Sequence, residues 1–156
     1  MKRRHWIFCF AFVFAGLATW AISPWYQLHL NMTPSLPGQL YFVDKTVPAK
    51  RGDIVAVHWK GGAGYEAGAT FLKMLDGVEG DPVKVVNRDI YVHDRFIAHA
   101  VERSRKGTPM EPIAAGVIPP GRAFVATGNK DGFDSRYAIF GTIERTAIIG
   151  VAHEIF

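Results

Sequence analysis

"ATFLKMLDGVEGDPVKVVNRDIYVHDRFIAHAV", residues 69–101, is the stretch on which the fold is decided. It divides into "ATFLKML", "PVKVVNR" and "DIYVHDRFIAHAV", runs rich in β-branched and aromatic residues and separated by Gly, Pro and Asp. Such runs are too short for ordinary helices and read as strands. The last of them has the look of a hairpin turning at His93, Asp94 and Arg95. Outward from this stretch the pattern repeats, in "LYFVDK" and "DIVAVHW" upstream and in "RAFVATG" and "TAIIGVAHEI" downstream. No amphipathic helix of normal length separates these runs, so the spacing predicts a mainly β domain, a sheet sandwich or barrel, rather than a βαβ fold. Two loops rich in Gly or polar residues, 60–69 and 102–112, interrupt it. Neither has a phosphate-loop pattern, and no internal repeat is visible.

The chain has 156 residues, room for one domain with its own core and little besides. Its formal charge of +4 is concentrated at Lys2, Arg3 and Arg4; the remainder carries 15 basic against 14 acidic residues. A nearly neutral body argues against a nucleic-acid-binding face, which needs Lys and Arg clustered on the folded part. The six histidines, at positions 5, 29, 58, 93, 99 and 153, lack metal-site spacing, and Cys9 is the single cysteine. No disulfide framework, metal or cofactor is expected.

From Trp6 to Val43 there is no Asp, Glu, Lys or Arg, and the first part, "WIFCFAFVFAGLATWAI", is apolar apart from Thr19. A helix from Trp6 to Trp25 would be about 30 Å long, the thickness of a bilayer's hydrocarbon core. Trp6 at one end and Trp20, Trp25 and Tyr26 at the other suit an interfacial belt, and the preceding basic residues predict a cytoplasmic N-terminus. The sequence therefore divides into a basic tail at 1–5, a transmembrane anchor at 6–25 and a domain at 26–156 beyond the membrane, joined through a short apolar linker, "WYQLHLNMT". A cleaved secretory signal is the competing reading; Trp20 interrupts its best small-x-small site, which ends at Ala21.

Three places could carry chemistry. Ser35, in "NMTPSLPGQLY" (31–41), lies between Pro34 and Pro37 and is held out of helical conformation. Locally it is an ordinary Pro-Ser-x-Pro turn residue or an exposed nucleophile near the membrane. Lys73, if in a strand, shares its face with Phe71 and Leu75, while Leu72 and Met74 occupy the other. Burial there would lower its pKa and make it a base for a serine; the alternative is a lysine snorkelling at a strand edge. Asp134, Ser135, Arg136 and Tyr137 form a polar segment between strands, where an Asp134–Arg136 pair would be worth little if exposed.

Together, in order and spacing, these segments resemble the type I signal peptidase superfamily, and most closely its TraF-type conjugative-transfer branch, over nearly the whole chain. Asn31, Thr33, Ser35, Pro37, Leu40 and Tyr41 match that branch's motif Asn-x-Thr-x-Ser-x-Pro-x-Gly-Leu-Tyr, with Gly38 and Gln39 exchanging the expected x-Gly. "RGDIV" (51–55), "KMLDGVEGD" (73–81) and "DSRYAIFG" (134–141) are similar to its later boxes, and "IIGVAHEIF" to its last strand. The resemblance implies a nucleophile at Ser35, a general base at Lys73 and an orienting role for Asp134, with Arg136 and Asp81 as structural support. In the leader-peptidase register Asn31 would take the nucleophile's place, where it cannot serve. Thr33 is expected to join the Ser35 backbone N–H in holding the oxyanion. Leader peptidases also place a hydroxyl residue near the lysine, and Gly132 stands near that position here.

The resulting expectation is a signal-peptidase-like β-sheet catalytic domain behind one transmembrane helix, in the bacterial inner membrane with the catalytic domain in the periplasm. Its function would be serine endopeptidase action, by a Ser/Lys dyad, on an exported precursor or prepilin, with cleavage and cyclisation both open, in contact with a conjugation or secretion apparatus. A general signal peptidase differs from this in substrate alone. A non-catalytic, membrane-tethered β domain of such an apparatus is the contrasting class, and a self-cleaving repressor-type protease fits poorly because the N-terminal segment is apolar.

Overall fold

The computed structural model describes residues 2–33 and 35–156. An N-terminal helix, α1 (Lys2–Ile22), precedes the strands β1 (Tyr26–Leu30), β2 (Leu40–Asp44), β3 (Ile54–His58), β4 (Thr70–Val78), β5 (Pro82–Val86), β6 (Asp89–Val92), β7 (Arg95–His99), β8 (Gly116–Val117), β9 (Arg122–Ala126), β10 (Ile143–Glu144) and β11 (Ile148–Glu154). All pairings between these strands are antiparallel. One sheet runs β1-β2-β11-β3-β4-β9-β10 and a smaller one β7-β6-β5-β8. The fold is mainly β, as the periodicity of residues 69–101 predicts.

That stretch forms the bend between the sheets. β4 lies inside the larger sheet, between β3 and β9, and has a bulge between Leu75 and Gly77 in its pairing with β9. A bulge increases local twist and turns the strand out of its plane. Gly77 is required there, because a Cβ would lie 2.6 Å from Ile118 and 2.8 Å from Val92. Beyond it the chain continues into β5 and the hairpin β6–β7, whose two-residue turn is His93-Asp94, both with positive φ (51° and 61°). Such values match the type I′ geometry that suits twisted strands. Arg95 therefore opens β7 rather than belonging to the turn.

Three apolar clusters hold the layers. Val55, Val57 and Leu75 pack with Ala123, Val125 and Phe140 on one face of β3, β4 and β9. Tyr41, Val43, Ala56, Leu72 and Ala152 fill the opposite side around β2 and β11. Val83, Ile90 and Val92 meet Phe124 and Ala126 between the sheets.

The N-terminal region departs from expectation in two ways. Residues 26–30, read as part of a linker, form β1, paired with β2 from Tyr26↔Asp44 to Leu30↔Leu40. Its alternation is inverted, with Tyr26, Leu28 and Leu30 pointing outward, so the apolar signal marks an exposed edge rather than a core face. The helix also begins before Trp6 and stops at Ile22, since the residue preceding Pro24 resists helical geometry. From Trp6 to Ile22 it offers about 25 Å of apolar length. Among the described residues no helix is long and apolar enough to cross a membrane.

Candidate active site

The serine loop leaves β1 at Asn31 and returns at β2. Asn31 is its hub: its side-chain amide donates to the carbonyls of Leu36 (3.0 Å) and Gly38 (3.1 Å), and its backbone N–H donates to Gln39 O (2.8 Å). The Tyr41 hydroxyl donates to Pro37 O. The C-terminus closes the loop from outside, with Gln39 N and Leu40 N both donating to Phe156 O. Gly38 has φ +77°, and a Cβ there would press on Glu154. Leu36 packs on the cluster containing Leu72, the neighbour of Lys73. Ser35 is half-buried, and its hydroxyl lies 2.8 Å from that of Thr33. Pro34, which the sequence reading uses to stiffen this turn, lies outside the described residues.

Lys73 sits in the middle of β4, opposite Val55 of β3, with its side chain on the face shared by Phe71 and Leu75. It is 4% exposed, and its ammonium lies 5.4 Å from the Phe71 ring centroid. Among the described residues it takes part in no hydrogen bond and no ion pair. Burial lowers its pKa from 10.5 to about 8; the nearby Asp134 carboxylate opposes that shift and the Arg136 guanidinium adds to it. A lysine in these surroundings can shed its proton near neutral pH.

Asp134 and Arg136 form the rigid part of the neighbourhood. They are 0% and 1% exposed, and they pair through Nε–Oδ1 and Nη2–Oδ2 contacts of 2.8 Å each. Asp134 also accepts from the backbone N–H groups of Thr127 (3.0 Å) and Arg136 (3.1 Å) and from the Thr127 hydroxyl (3.3 Å). Arg136 donates to the carbonyls of Thr127 and Asn129, with longer contacts to Lys130 O and His99 O. Ser135 ties the segment to β9 through both its backbone and its hydroxyl, at Val125. This is no exposed turn pair: a buried ion pair persists only when its remaining donors and acceptors are met in this way.

Asp81 stands apart from this group. It closes the turn after β4 by accepting from Val78 N (2.8 Å) and binds Arg51. Asp76 was not singled out from the sequence. It is buried on β4 and bound by Arg95, and burial raises its pKa while Arg95 opposes the rise. A carboxylate three residues after Lys73 on the same apolar strand is its signal in the sequence. Among the described residues no cluster of three or more His, Cys, Asp or Glu side chains could hold a metal ion.

The structure thus gathers Lys73, Asp134 and Arg136 into one buried electrostatic group. It leaves Ser35 and Thr33 paired with each other on a separate loop. Ser35 and Lys73 are not hydrogen-bonded.

Comparison with known proteins bears on this arrangement. Residues 2–156 match the family model described as signal peptidase, peptidase S26. A conjugal transfer protein TraF from Agrobacterium fabrum is 28% identical over 144 residues, 81% of each chain. Signal peptidase I U of Bacillus subtilis is 28% identical over 138 residues, 81% of this chain and 71% of that one. A solved signal peptidase I from Enterococcus faecalis aligns with 66% of this chain and 95% of its own, at TM-score 0.43 and 22% identity, too distant a likeness to add to the family match.

Proposed function

From its membership in the signal peptidase family, peptidase S26, to which the chain belongs over residues 2–156, we infer a serine endopeptidase that cuts exported precursors with Ser35 and Lys73. The observation that carries this reading is Lys73: a buried lysine with no ion-pair or hydrogen-bond partner among the described residues and a pKa near 8. Neutral Lys73 takes the Ser35 proton as the hydroxyl turns from Thr33 toward it on substrate docking. Free sites are often looser than the reacting complex. Ser35 Oγ attacks the scissile carbonyl, and the oxyanion is held by the Ser35 backbone N–H and the Thr33 hydroxyl. Such donors are each worth on the order of 3 kcal/mol to the transition state. The lysine then protonates the departing amine. Water resolves the acyl-enzyme by hydrolysis, or a substrate amine does so by transpeptidation.

The TraF relative favours a conjugative precursor such as a prepilin as substrate; the Bacillus relatives favour general secretory signals as the second reading. Cyclisation is testable by mass, since a circular product is one water lighter than its linear counterpart. We place the chain on the bacterial inner membrane through α1, whose described side chains from Trp6 to Ile22 are solvent-exposed and mostly apolar. The basic residues would lie on the cytoplasmic side and the catalytic domain on the periplasmic side. A ~25 Å apolar helix crosses only where the bilayer thins around it. Alkaline extraction and protease accessibility from each side test that topology.

The decisive experiment is processing of a co-expressed candidate precursor by the natural chain and by Ser35→Ala and Lys73→Ala. Each variant should fold and lose processing. Near-normal activity in either removes the dyad.

A further inference from the structure

We propose that Phe156 is a positioning residue for the nucleophile: its main-chain oxygen clamps the return limb of the loop that carries Ser35, and so fixes where the serine hydroxyl stands. This rests on the reading of Ser35 as the nucleophile.

Register is the first support. β2 is flanked by β1, from Tyr26↔Asp44 to Leu30↔Leu40, and by β11, from Val151↔Asp44 to Glu154↔Tyr41. All three strands therefore bring the same end of the sheet to the serine loop. One step beyond these ladders the pairing continues: Asn31 N donates to Gln39 O (2.8 Å) on one side, and Ile155 N donates to Leu40 O (2.8 Å) on the other. Gln39 N (2.7 Å) and Leu40 N (3.1 Å) both donate to Phe156 O. The limb returning from Ser35 is held between two strand ends, and the outer hold converges on one oxygen.

The second support is the kind of contact made. Ile155 and Phe156 are 52% and 69% exposed, so their side chains bury little and gain little by packing. What residue 156 gives the loop is main chain. A main-chain oxygen has two lone pairs and can take both N–H groups.

The third is Gly38, where the limb turns with φ +77°. A Cβ there would lie 2.6 Å from Glu154 Cγ and Oε1, so the segment leading into Phe156 also covers the turn from outside. Its inner side is held by the Asn31 amide, through the carbonyls of Leu36 and Gly38. With both sides fixed, few backbone dihedrals between Ser35 and Gln39 remain free to move the hydroxyl. Loss of the outer hold lets the limb swing, and a misplacement of about 1 Å at a reacting group costs about a hundredfold in rate.

Removing Phe156 takes away the oxygen and leaves the pairing of β11 with β2 in place, whereas Phe156→Ala keeps the oxygen and takes away the ring. In the full chain and both variants, exchange of the Gln39 and Leu40 amide hydrogens is followed by NMR, and peptide cleavage is resolved into kcat and KM. The chain lacking Phe156 should exchange both amides faster and lose about a hundredfold in kcat, with KM little changed. Phe156→Ala should match the full chain in both respects. A natural kcat without Phe156 overturns the proposal, and so does unchanged exchange at the two amides. Equal losses in the two variants overturn it in favour of a role for the ring. If Ser35→Ala remains active while removal of Phe156 still frees both amides, the dyad fails and the clamp on the loop stands.

Discussion

The two loops that carry the candidate site are built on opposite plans. The segment 127–136 exposes Gly128, Lys130 and Asp131 but buries its ion pair: Asp134 accepts five hydrogen bonds, from Thr127 and Arg136, and Arg136 is nearly inaccessible. The segment 31–39 is half-open, held by one asparagine, one tyrosine hydroxyl and the chain terminus, and Met32 and Thr33 stand exposed. The difference separates two requirements of a serine–lysine pair. A base whose pKa depends on dry surroundings needs a rigid wall, whereas a nucleophile that must admit a peptide needs an accessible loop. Stability should therefore reside in the first loop, and activity should be lost before stability in the second.

The largest test is Asp134→Ala. It leaves Arg136 buried without its partner, and removing one member of such a pair costs about 3–5 kcal/mol. Urea denaturation should show that loss. A change below about 1 kcal/mol would mean that water replaces the carboxylate and that the wall is less rigid than its bonding suggests.

Lys73→Met should act with the opposite sign. A lysine whose folded pKa is lowered from 10.5 to about 8 binds its proton less well when folded than when unfolded. The unfolded chain thus holds more protons between about pH 8 and 10.5, and the lysine's contribution to stability rises with pH across that window. Below it, burial of the charged amine costs about 3 kcal/mol. Lys73→Met should remove that cost at pH 7, stabilising the fold while abolishing cleavage, and its advantage should fade toward pH 10.5. A destabilised Lys73→Met at pH 7 would show that the amine has favourable partners.

Asn31→Ala probes the other loop. Losing the bonds to Leu36 and Gly38 carbonyls should cost about 1–2 kcal/mol. Cleavage should fall further, on the order of a hundredfold, because the serine is no longer held for attack. Full activity would move the loop's anchorage to Tyr41 and the C-terminus.

These contrasts were unequally legible in the sequence. β-branched runs broken by Gly and Asp marked the strands, and the alternation around Lys73 gave its face correctly, because period-2 patterning reports burial directly. Asp134 and Arg136 read as a surface pair since local composition carries no burial; Thr127 and the carbonyls of Asn129 and Lys130 fold over them. Asn31 reads in the sequence as a motif position and as a residue that cannot serve as nucleophile, while its role in the fold, an amide bridging to carbonyls five and seven positions on, depends on the loop's closure. β1 was hidden because its apolar residues point outward, where a hydrophobic run reads as a membrane approach.

The smallest effect is expected at Tyr65, on the glycine-rich loop over the rigid half. Tyr65 is 47% exposed, yet its ring meets Phe71 edge-on at 5.1 Å and stacks on Phe133 at 5.4 Å. Phe71 lies beside the Lys73 ammonium and Phe133 precedes Asp134, so the ring roofs the dry side of the site. Tyr65→Ala admits water there and weakens the desolvation that lowers the lysine's pKa. The titration should then move upward from about 8, back toward 10.5. Cleavage should fall at pH 7, where fewer lysines are neutral, and match the natural chain above that titration, where nearly all are. Tyr65→Phe, which keeps the ring, should retain the natural profile. A uniform loss at every pH would instead make Tyr65 a substrate contact and leave the dryness of Lys73 to β3, β4 and β9 alone.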